Sequence, residues 1–351
     1  MLCCQSFIDA NESKFLTRRS CTPPTCSGGL CPSHFFHENA TDGPQAAATN
    51  FVVEFLLCFF FGLRQVDGHV KPAEEKTILD EILVSVMGEL EAARRARPLA
   101  DLRARLRDVP PVRPVRPALE GRFSLLAEIK TTSPSVGKMR EANVRDAAAV
   151  YEDRPVVTMV SILTNMTHFG QDIFTLQKLR GSLTKPVLRK DFIIDEYQIR
   201  EARAFGADAI LLMASVLDAS RLRGFYDLAR ELDLEVLFEV HDPAEIAMLP
   251  TDAALVGINS RKFKSREGFT MGQADSGRDF SIDLAAFDLV DQLPEGVIRV
   301  AESGLSAANL HVVTGRFEAA LVGTSLLRDE RGIEAAVLDF ERALAESEAQ
   351  E

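Results

Sequence analysis

The chain has 351 residues, 46% hydrophobic and 26% charged, an ordinary globular composition with length for one large α/β barrel or two smaller domains. A formal net charge of -12 and an isoelectric point near 5.1 argue against a nucleic-acid-binding surface. All six cysteines (Cys3, Cys4, Cys21, Cys26, Cys31 and Cys58) lie in the first 58 residues, so the body carries no disulfide framework and reads as a reduced, cytoplasmic domain.

Residues 1–70 form an atypical extension. The segment "CSGGLCPSHFFH" holds Cys26, Cys31, His34 and His37, but Cys-x4-Cys is loose for zinc and His-x2-His is short, so no metal is expected. The run "FVVEFLLCFFFGL", Phe51 to Leu63, has 13 residues with Glu54 inside. A membrane span needs about 20, and no basic region at the start marks a signal peptide. Three readings of this head stay open: disorder, an interfacial anchor, or sequence ahead of a true start at a codon such as Val66 or Val70.

Residues 71–122 open on "TILDEILVSVMGELEAARRAR", where Ile78, Leu79, Ile82, Leu83, Val86 and Leu90 share one helical face. The Arg- and Pro-rich stretch from Arg94 to Pro117 then reads as a solvated linker crossing the outside of the domain, with an anionic partner as the weaker reading.

From 123 to 345 the pattern alternates, before an acidic tail at 346–351. Strands are predicted at Leu125–Ile129, Val156–Leu163, Pro186–Leu188, Ala209–Met213, Glu235–Val240, Leu255–Ile258, Ile298–Ala301 and Ala320–Val322. Helical patterns separate them, among them "NVRDAAAVYED", "DEYQIREARAFG", "DASRLRGFYDLARELD" and "DPAEIAMLP", with Asp or Asn as N-caps and Gly206 as a C-terminal stop. Eight short strands joined by right-handed helical crossovers predict a (β/α)8 TIM barrel with an N-terminal extension helix. The doubly wound alternative lacks a Gly-x-Gly-x-x-Gly turn after its first strand. A long polar connection, Lys264 to Asp279, leaves the sixth strand as a lid or a disordered insertion.

In a barrel, alternate strand residues point inward, and those at the C-terminal ends line the active-site mouth. That period turns Leu126, Glu128 and Lys130 inward from the first strand, and Leu188 and Lys190 from the third. Leu237 and Glu239, Gly257 and Asn259, and Val300 and Glu302 do the same from the fifth, sixth and seventh. One charge at a strand end is ordinarily a surface residue; five strands aiming such groups at one volume are not. Small residues end the last two strands, Ser303-Gly304 and Gly323-Thr324-Ser325, the latter followed by a helical stretch at Gly332 to Leu338. They let backbone N–H groups approach an anion and predict a phosphorylated small molecule as ligand. With no metal cluster and no dinucleotide fingerprint, no cofactor is expected.

The segments "LLAEIKTTSPSVG", "VSILTNMTHFGQD", "PVLRKDFIIDEYQI", "LEVLFEVHD", "VGINSRKF", "VAESGL" and "ALVGTSLLR" resemble, in order, the motifs of indole-3-glycerol phosphate synthases. The resemblance runs from about Thr77 to Leu338. It implies a carbon-carbon lyase of tryptophan biosynthesis, closing the indole ring of 1-(2-carboxyphenylamino)-1-deoxyribulose 5-phosphate with loss of carbon dioxide and water. It further implies Lys190 as general acid, Lys130 as partner of the substrate carboxylate with a share in acid catalysis of the dehydration, Glu239 as base or stabiliser of the developing cation, and Glu128 as the group orienting Lys130. Asn259, Glu302 and Arg261 would bind substrate, Phe169 and Phe192 would wall the aromatic ring, and Ser133, Ser303, Gly304, Gly323 and Thr324 would hold the phosphate. Departures from the family pattern are Asn259-Ser260-Arg261 where Asn-Asn-Arg is usual, Ala301 where Ser is common, and the long loop after Lys262. The competing readings are an isomerase of the phosphoribosylanthranilate type, which wants an acid–base pair and not two convergent lysines, and a non-catalytic phosphate-binding barrel.

Overall fold

A computed structural model of the chain describes residues 78–261 and 281–349. The Cys/His cluster at 26–37, the apolar run at 51–63 and the long polar connection at 264–279 lie outside the described residues. Eight strands pair in parallel: β1 (Ser124–Ile129), β2 (Val157–Leu163), β3 (Val187–Lys190), β4 (Ala209–Met213), β5 (Glu235–Val240), β6 (Leu255–Asn259), β7 (Ile298–Glu302) and β8 (Ala319–Val322). They run in sequence order around a closed barrel, β8 returning to β1. Every strand falls within two residues of its predicted bounds. The third begins at Val187 because Pro186 has no N–H to give; its carbonyl still accepts from Val160 N at 2.9 Å.

Helices cover the outside: α1 (Ile78–Ala96), α2 (Leu99–Arg105), α3 (Arg116–Leu119), α4 (Glu141–Asp153), α5 (Met166–Phe169), α6 (Ile173–Arg180), α7 (Glu196–Ala204), α8 (Ala219–Glu231), α9 (Pro243–Ile246), α10 (Thr324–Leu327) and α11 (Ile333–Glu348). Two 3₁₀ segments, Leu284–Gln292 and Ala307–Val312, stand in for helices after β6 and β7. Asp195, Asp218 and Asp242 cap α7, α8 and α9 through their side chains, as their positions in sequence predict. Gly206 follows α7 at φ +92°, the left-handed region that favours glycine. Asn143 corrects the pattern. It lies inside α4, which starts two residues earlier at Glu141, and its buried amide donates to the carbonyls of Leu327 (3.2 Å) and Asp329 (2.9 Å), tying α4 to the segment after β8.

The core has two layers. Leu126, Met159, Leu188, Leu211, Leu237, Leu255, Val300 and Leu321 fill the barrel, while the opposite strand faces pack against the helices. Ile78, Ile82 and Val86 of α1 join the inner group, as do Val115 and Leu119 just ahead of β1. The leading helix thus buries its apolar stripe on the barrel itself.

The Arg/Pro stretch is not a solvated linker. Leu102 and Val115 are buried, and several of its arginines dock it on the barrel. Arg97 pairs with the buried Glu201 of α7 at 2.6 Å, Arg105 donates to the carbonyl of Ala204 at 2.6 Å, and Arg116 pairs with Glu235 at 2.6 Å. Arg113 donates to the carbonyls of Lys185 (2.9 Å), Arg180 (3.2 Å) and Leu183, while its backbone N–H meets Asp208 at 2.8 Å. A guanidinium has five donors and a long apolar stem, so an Arg-rich segment can satisfy loop carbonyls and still pack. Arg105 and Arg97 also stack over Phe205, 4.2 and 5.7 Å from the ring centre. Replacing Arg113 by Ala leaves several carbonyls unmatched and should cost about 2 kcal/mol in urea denaturation. A solvated linker would register no more than about 0.5 kcal/mol.

Candidate active site

Strand parity places the chemistry. Glu128, Lys130, Lys190, Glu239, Asn259 and Glu302 line one cavity of about 460 Å³ at the C-terminal mouth of the barrel, a size suited to a small-molecule ligand. The other sequence-predicted site residues, Ser133, Phe169, Phe192, Arg261, Ser303, Gly304, Gly323 and Thr324, line the same cavity.

Its floor is an ionic cluster. The Lys190 ammonium lies 3.1 Å from Glu239 Oε2 and 3.0 Å from Glu302 Oε2, and both carboxylates are at most 1% exposed. Burial alone would lower the lysine's pKa, but Glu239, Glu302 and Glu128 outweigh it and push the pKa up, so the group stays protonated. The two carboxyls part company. Against its burial, Lys190 and then His241 hold Glu239 below its ordinary value, with Asn259 assisting. Burial pushes Glu302 up to about 7, Lys190 opposing and the neighbouring Glu239 reinforcing the rise. Glu302 Oε1, like Glu239 Oε1, finds no hydrogen-bond partner among the described residues. Gly257 makes room for this carboxyl: a Cβ there would sit 2.0 Å from Glu302 Oε1. Beside the cluster, Glu128 Oε1 receives Lys130 Nζ at 2.5 Å. Burial lowers the pKa of Arg261, against the pull of Glu128.

The outward residues of β3 fasten its end. Arg189 and Asp191, fully under the helices, bond each other at 2.9 Å, and Arg189 also reaches Glu201 (3.1 Å) and the carbonyl of Gln198 (2.8 Å). Thr164 donates to Asp191 at 2.6 Å. Lys190, between these two, therefore has one direction left to point.

The aromatic wall is held from two sides. Phe169 and Phe192 stack with ring centres 6.3 Å apart. Glu89 of α1 caps the start of α5, accepting from Thr167 N (2.9 Å) and Thr167 Oγ1 (2.5 Å), and His168 meets Ser85 at 2.9 Å. Thr131, next to Lys130, donates its N–H (3.2 Å) and its hydroxyl (3.0 Å) to the Phe169 carbonyl. That contact requires Gly170, at φ +73°, where a Cβ would fall 2.0 Å from Thr131 Oγ1.

Opposite lies the small-residue end. Ser303, a non-glycine at φ +70°, and Gly304, at φ +71°, make two successive left-handed residues, backbone strain of the kind concentrated at functional sites. Ser260 secures the turn by donating to the Ser303 carbonyl at 3.0 Å, and Asn309 donates to that of Gly304 at 2.9 Å. Ser325 links the neighbouring loop by donating to the Leu305 carbonyl at 2.9 Å. Gly323 opens α10 directly, and a Cβ on it would strike Glu128 Oε1 at 2.4 Å. The helix expected at Gly332 to Leu338 is present as α11, but Gly332 does not line the cavity; the helix that starts beside Gly323 is the four-residue α10. Among the described residues no cluster of His, Cys, Asp or Glu could hold a metal ion, and no helix is long and apolar enough to cross a membrane.

The sequence model of indole-3-glycerol phosphate synthase matches residues 79–337. The chain belongs to the indole-3-glycerol phosphate synthase family. Proteins carrying that name resemble it over most of their own length. One from Kineococcus radiotolerans is 35% identical over 266 residues, 72% of this chain and 91% of the relative. One from a Nocardioides species is 36% identical over 259 residues, covering 72% and 94%, and one from Chlorobium phaeovibrioides 37% over 255 residues, covering 71% and 93%.

Strand parity missed several members of this family site. Ile82 of α1 and Leu211 and Met213 of β4 line the cavity but carry no chemical signature in sequence. Ser260, one of the departures from the family pattern, has a structural use that sequence did not show, its hydrogen bond under the Ser303 turn. His241, two residues beyond Glu239, was legible by the same period of two.

The raised pKa of Glu302 has a thermodynamic consequence. Its carboxyl favours the folded state fully below its ordinary value of 4.5, and that contribution is lost as pH rises to about 7. Glu302→Gln, which stays neutral, should match wild type in urea denaturation near pH 4.5. By pH 8 it should be more stable by about 2–3 kcal/mol.

Proposed function

We propose that this chain is an indole-3-glycerol phosphate synthase, converting 1-(2-carboxyphenylamino)-1-deoxyribulose 5-phosphate to indole-3-glycerol phosphate, carbon dioxide and water in tryptophan biosynthesis. The observation that carries the reading is the Lys190 ammonium held between Glu239 and Glu302 in the same cavity as the Glu128–Lys130 pair, inside a chain of this family.

Ring closure needs the aryl carbon that bears the carboxylate to attack the ribulose ketone, and the carbonyl oxygen gains negative charge as it does. Lys190, protonated and buried, is placed to give that oxygen a proton. Breaking the bond to the carboxylate returns its electron pair to the ring and releases carbon dioxide. Lys130, oriented by Glu128, pairs with the carboxylate before it leaves and shares in protonating the hydroxyl lost as water. Glu239 takes the last proton from the methylene carbon as the second ring becomes aromatic, or steadies the cation before it. Asn259, Glu302 and Arg261 bind the sugar and anthranilate polar groups, and the Phe169/Phe192 wall holds the aryl ring against the ketone, raising the effective concentration of the two carbons. Ser133, Ser303, Gly304, Gly323 and Thr324 grip the phosphate. Residues 123–345 are the catalytic body, 71–122 its leading segment and 346–351 a tail. The cysteine-free body supports a cytoplasmic setting.

Indole fluorescence on adding the substrate to purified protein tests this reading. Wild type should form product, and Lys190→Ala should lose at least about a hundredfold in kcat, as expected for a removed general acid. A wild type that binds the substrate without turning it over would leave a phosphate-binding barrel and end the enzyme reading.

A further inference from the structure

His241 belongs to no role assigned so far. It continues β5 with the same inward parity as Glu239, and its side chain is 16% exposed. Glu245 of α9 reaches back to it twice, accepting from the His241 backbone N–H at 2.7 Å and from ring Nδ1 at 3.0 Å. Asp242 caps Glu245 N at 3.0 Å, so the anchoring carboxylate is itself fixed. With Nδ1 turned to Glu245, ring Nε2 faces Glu239 Oε1 at 3.5 Å. Glu239 is therefore bracketed: Lys190 stands at one oxygen and the imidazole at the other.

We propose that His241 is a positioning residue, an imidazolium anchored by Glu245 that keeps the Glu239 carboxylate ionised and turned toward the cavity. The proposal rests on the reading of Glu239 as the base. A base that picks up a proton from solvent before turnover is lost to the reaction, and a second cation against its far oxygen opposes that. The Lys190 ammonium stands at the other oxygen of Glu239 and also faces Glu302. The largest charge effects on the ring come from Glu245 of α9, Glu239 of β5 and Glu302 of β7, which raise its pKa against the effect of burial; the Lys190 cation stands across the Glu239 carboxylate. The imidazolium is thus favoured by the same carboxylate it serves. A purely structural role, the Glu245 cap on the start of α9, would leave Glu239 unaffected.

The test is the pH dependence of kcat/KM, from pH 5 to 8, for the full-length chain and for His241→Gln and Glu245→Gln. An opposite charge at this range moves a carboxyl by about one to three pKa units. The ratio of His241→Gln to wild type should therefore fall severalfold between pH 7 and pH 5, and Glu245→Gln should show a smaller fall in the same direction. A ratio that is constant with pH overturns the proposal, whatever its absolute value. Imidazole NMR of His241 decides the matter if His241→Gln does not fold: titration above the ordinary 6.5 that drops in Glu239→Gln supports it. Titration at or below 6.5, unmoved by that substitution, refutes it. A wild type without turnover would sink the functional reading, yet the NMR titration would still decide whether His241 and Glu239 are coupled.

Discussion

The buried ammonium of Lys190 is the constraint around which the molecule is arranged. An ion removed from water carries a penalty of several kcal/mol unless charge and hydrogen bonds meet it. Glu239 and Glu302 supply both, each from a different strand, and each oxygen left over is available to something else. Three charged groups in a dry site do not ionise independently. The lysine stays protonated, Glu239 stays ionised, and Glu302 titrates near neutrality. The ionisation of the two glutamates is thus differentiated by surroundings and not by residue type.

Such a cluster works only if its members cannot relax away from one another. Closure of the barrel does most of this, since parallel pairing sets Asn259 beside Glu302 and Glu239 beside Gly257 in register. The outer ion pairs of Arg189 with Asp191 and Glu201 complete it by immobilising the end of β3 from behind. Glycines at 257 and 323 are needed for a plain steric reason, because any side chain there would collide with the buried carboxylate of Glu302 or Glu128.

The leading segment is part of the same construction. α1 contributes Ile82 to the cavity and Glu89 and Ser85 to the loop that carries Phe169, while the arginines that follow it bind α7 and the loop before β3. Thr131 joins that aromatic loop to Lys130 across a contact that only glycine at 170 permits. The aromatic end of the proposed substrate pocket is therefore tied to elements outside the barrel strands.

The eight strands, the caps at Asp195, Asp218 and Asp242, and the inward set Glu128, Lys130, Lys190, Glu239, Asn259 and Glu302 were legible in sequence alone. Periodicity and capping are local, and a period of two carries a side chain's direction along a strand whatever its neighbours. The sequence also determined the family, through motifs kept in order. Only the tertiary structure decided that Lys190 bridges two particular glutamates, that Ser260 supports the Ser303 turn, that His241 faces Glu239, and that the Arg-rich stretch is docked and not solvated. Those are contacts between segments tens of residues apart, and an arginine reads the same in sequence whether its guanidinium meets water or a buried carbonyl. What each charge meets is set by chain closure, so the ionisation of the site belongs to the fold and not to any one residue.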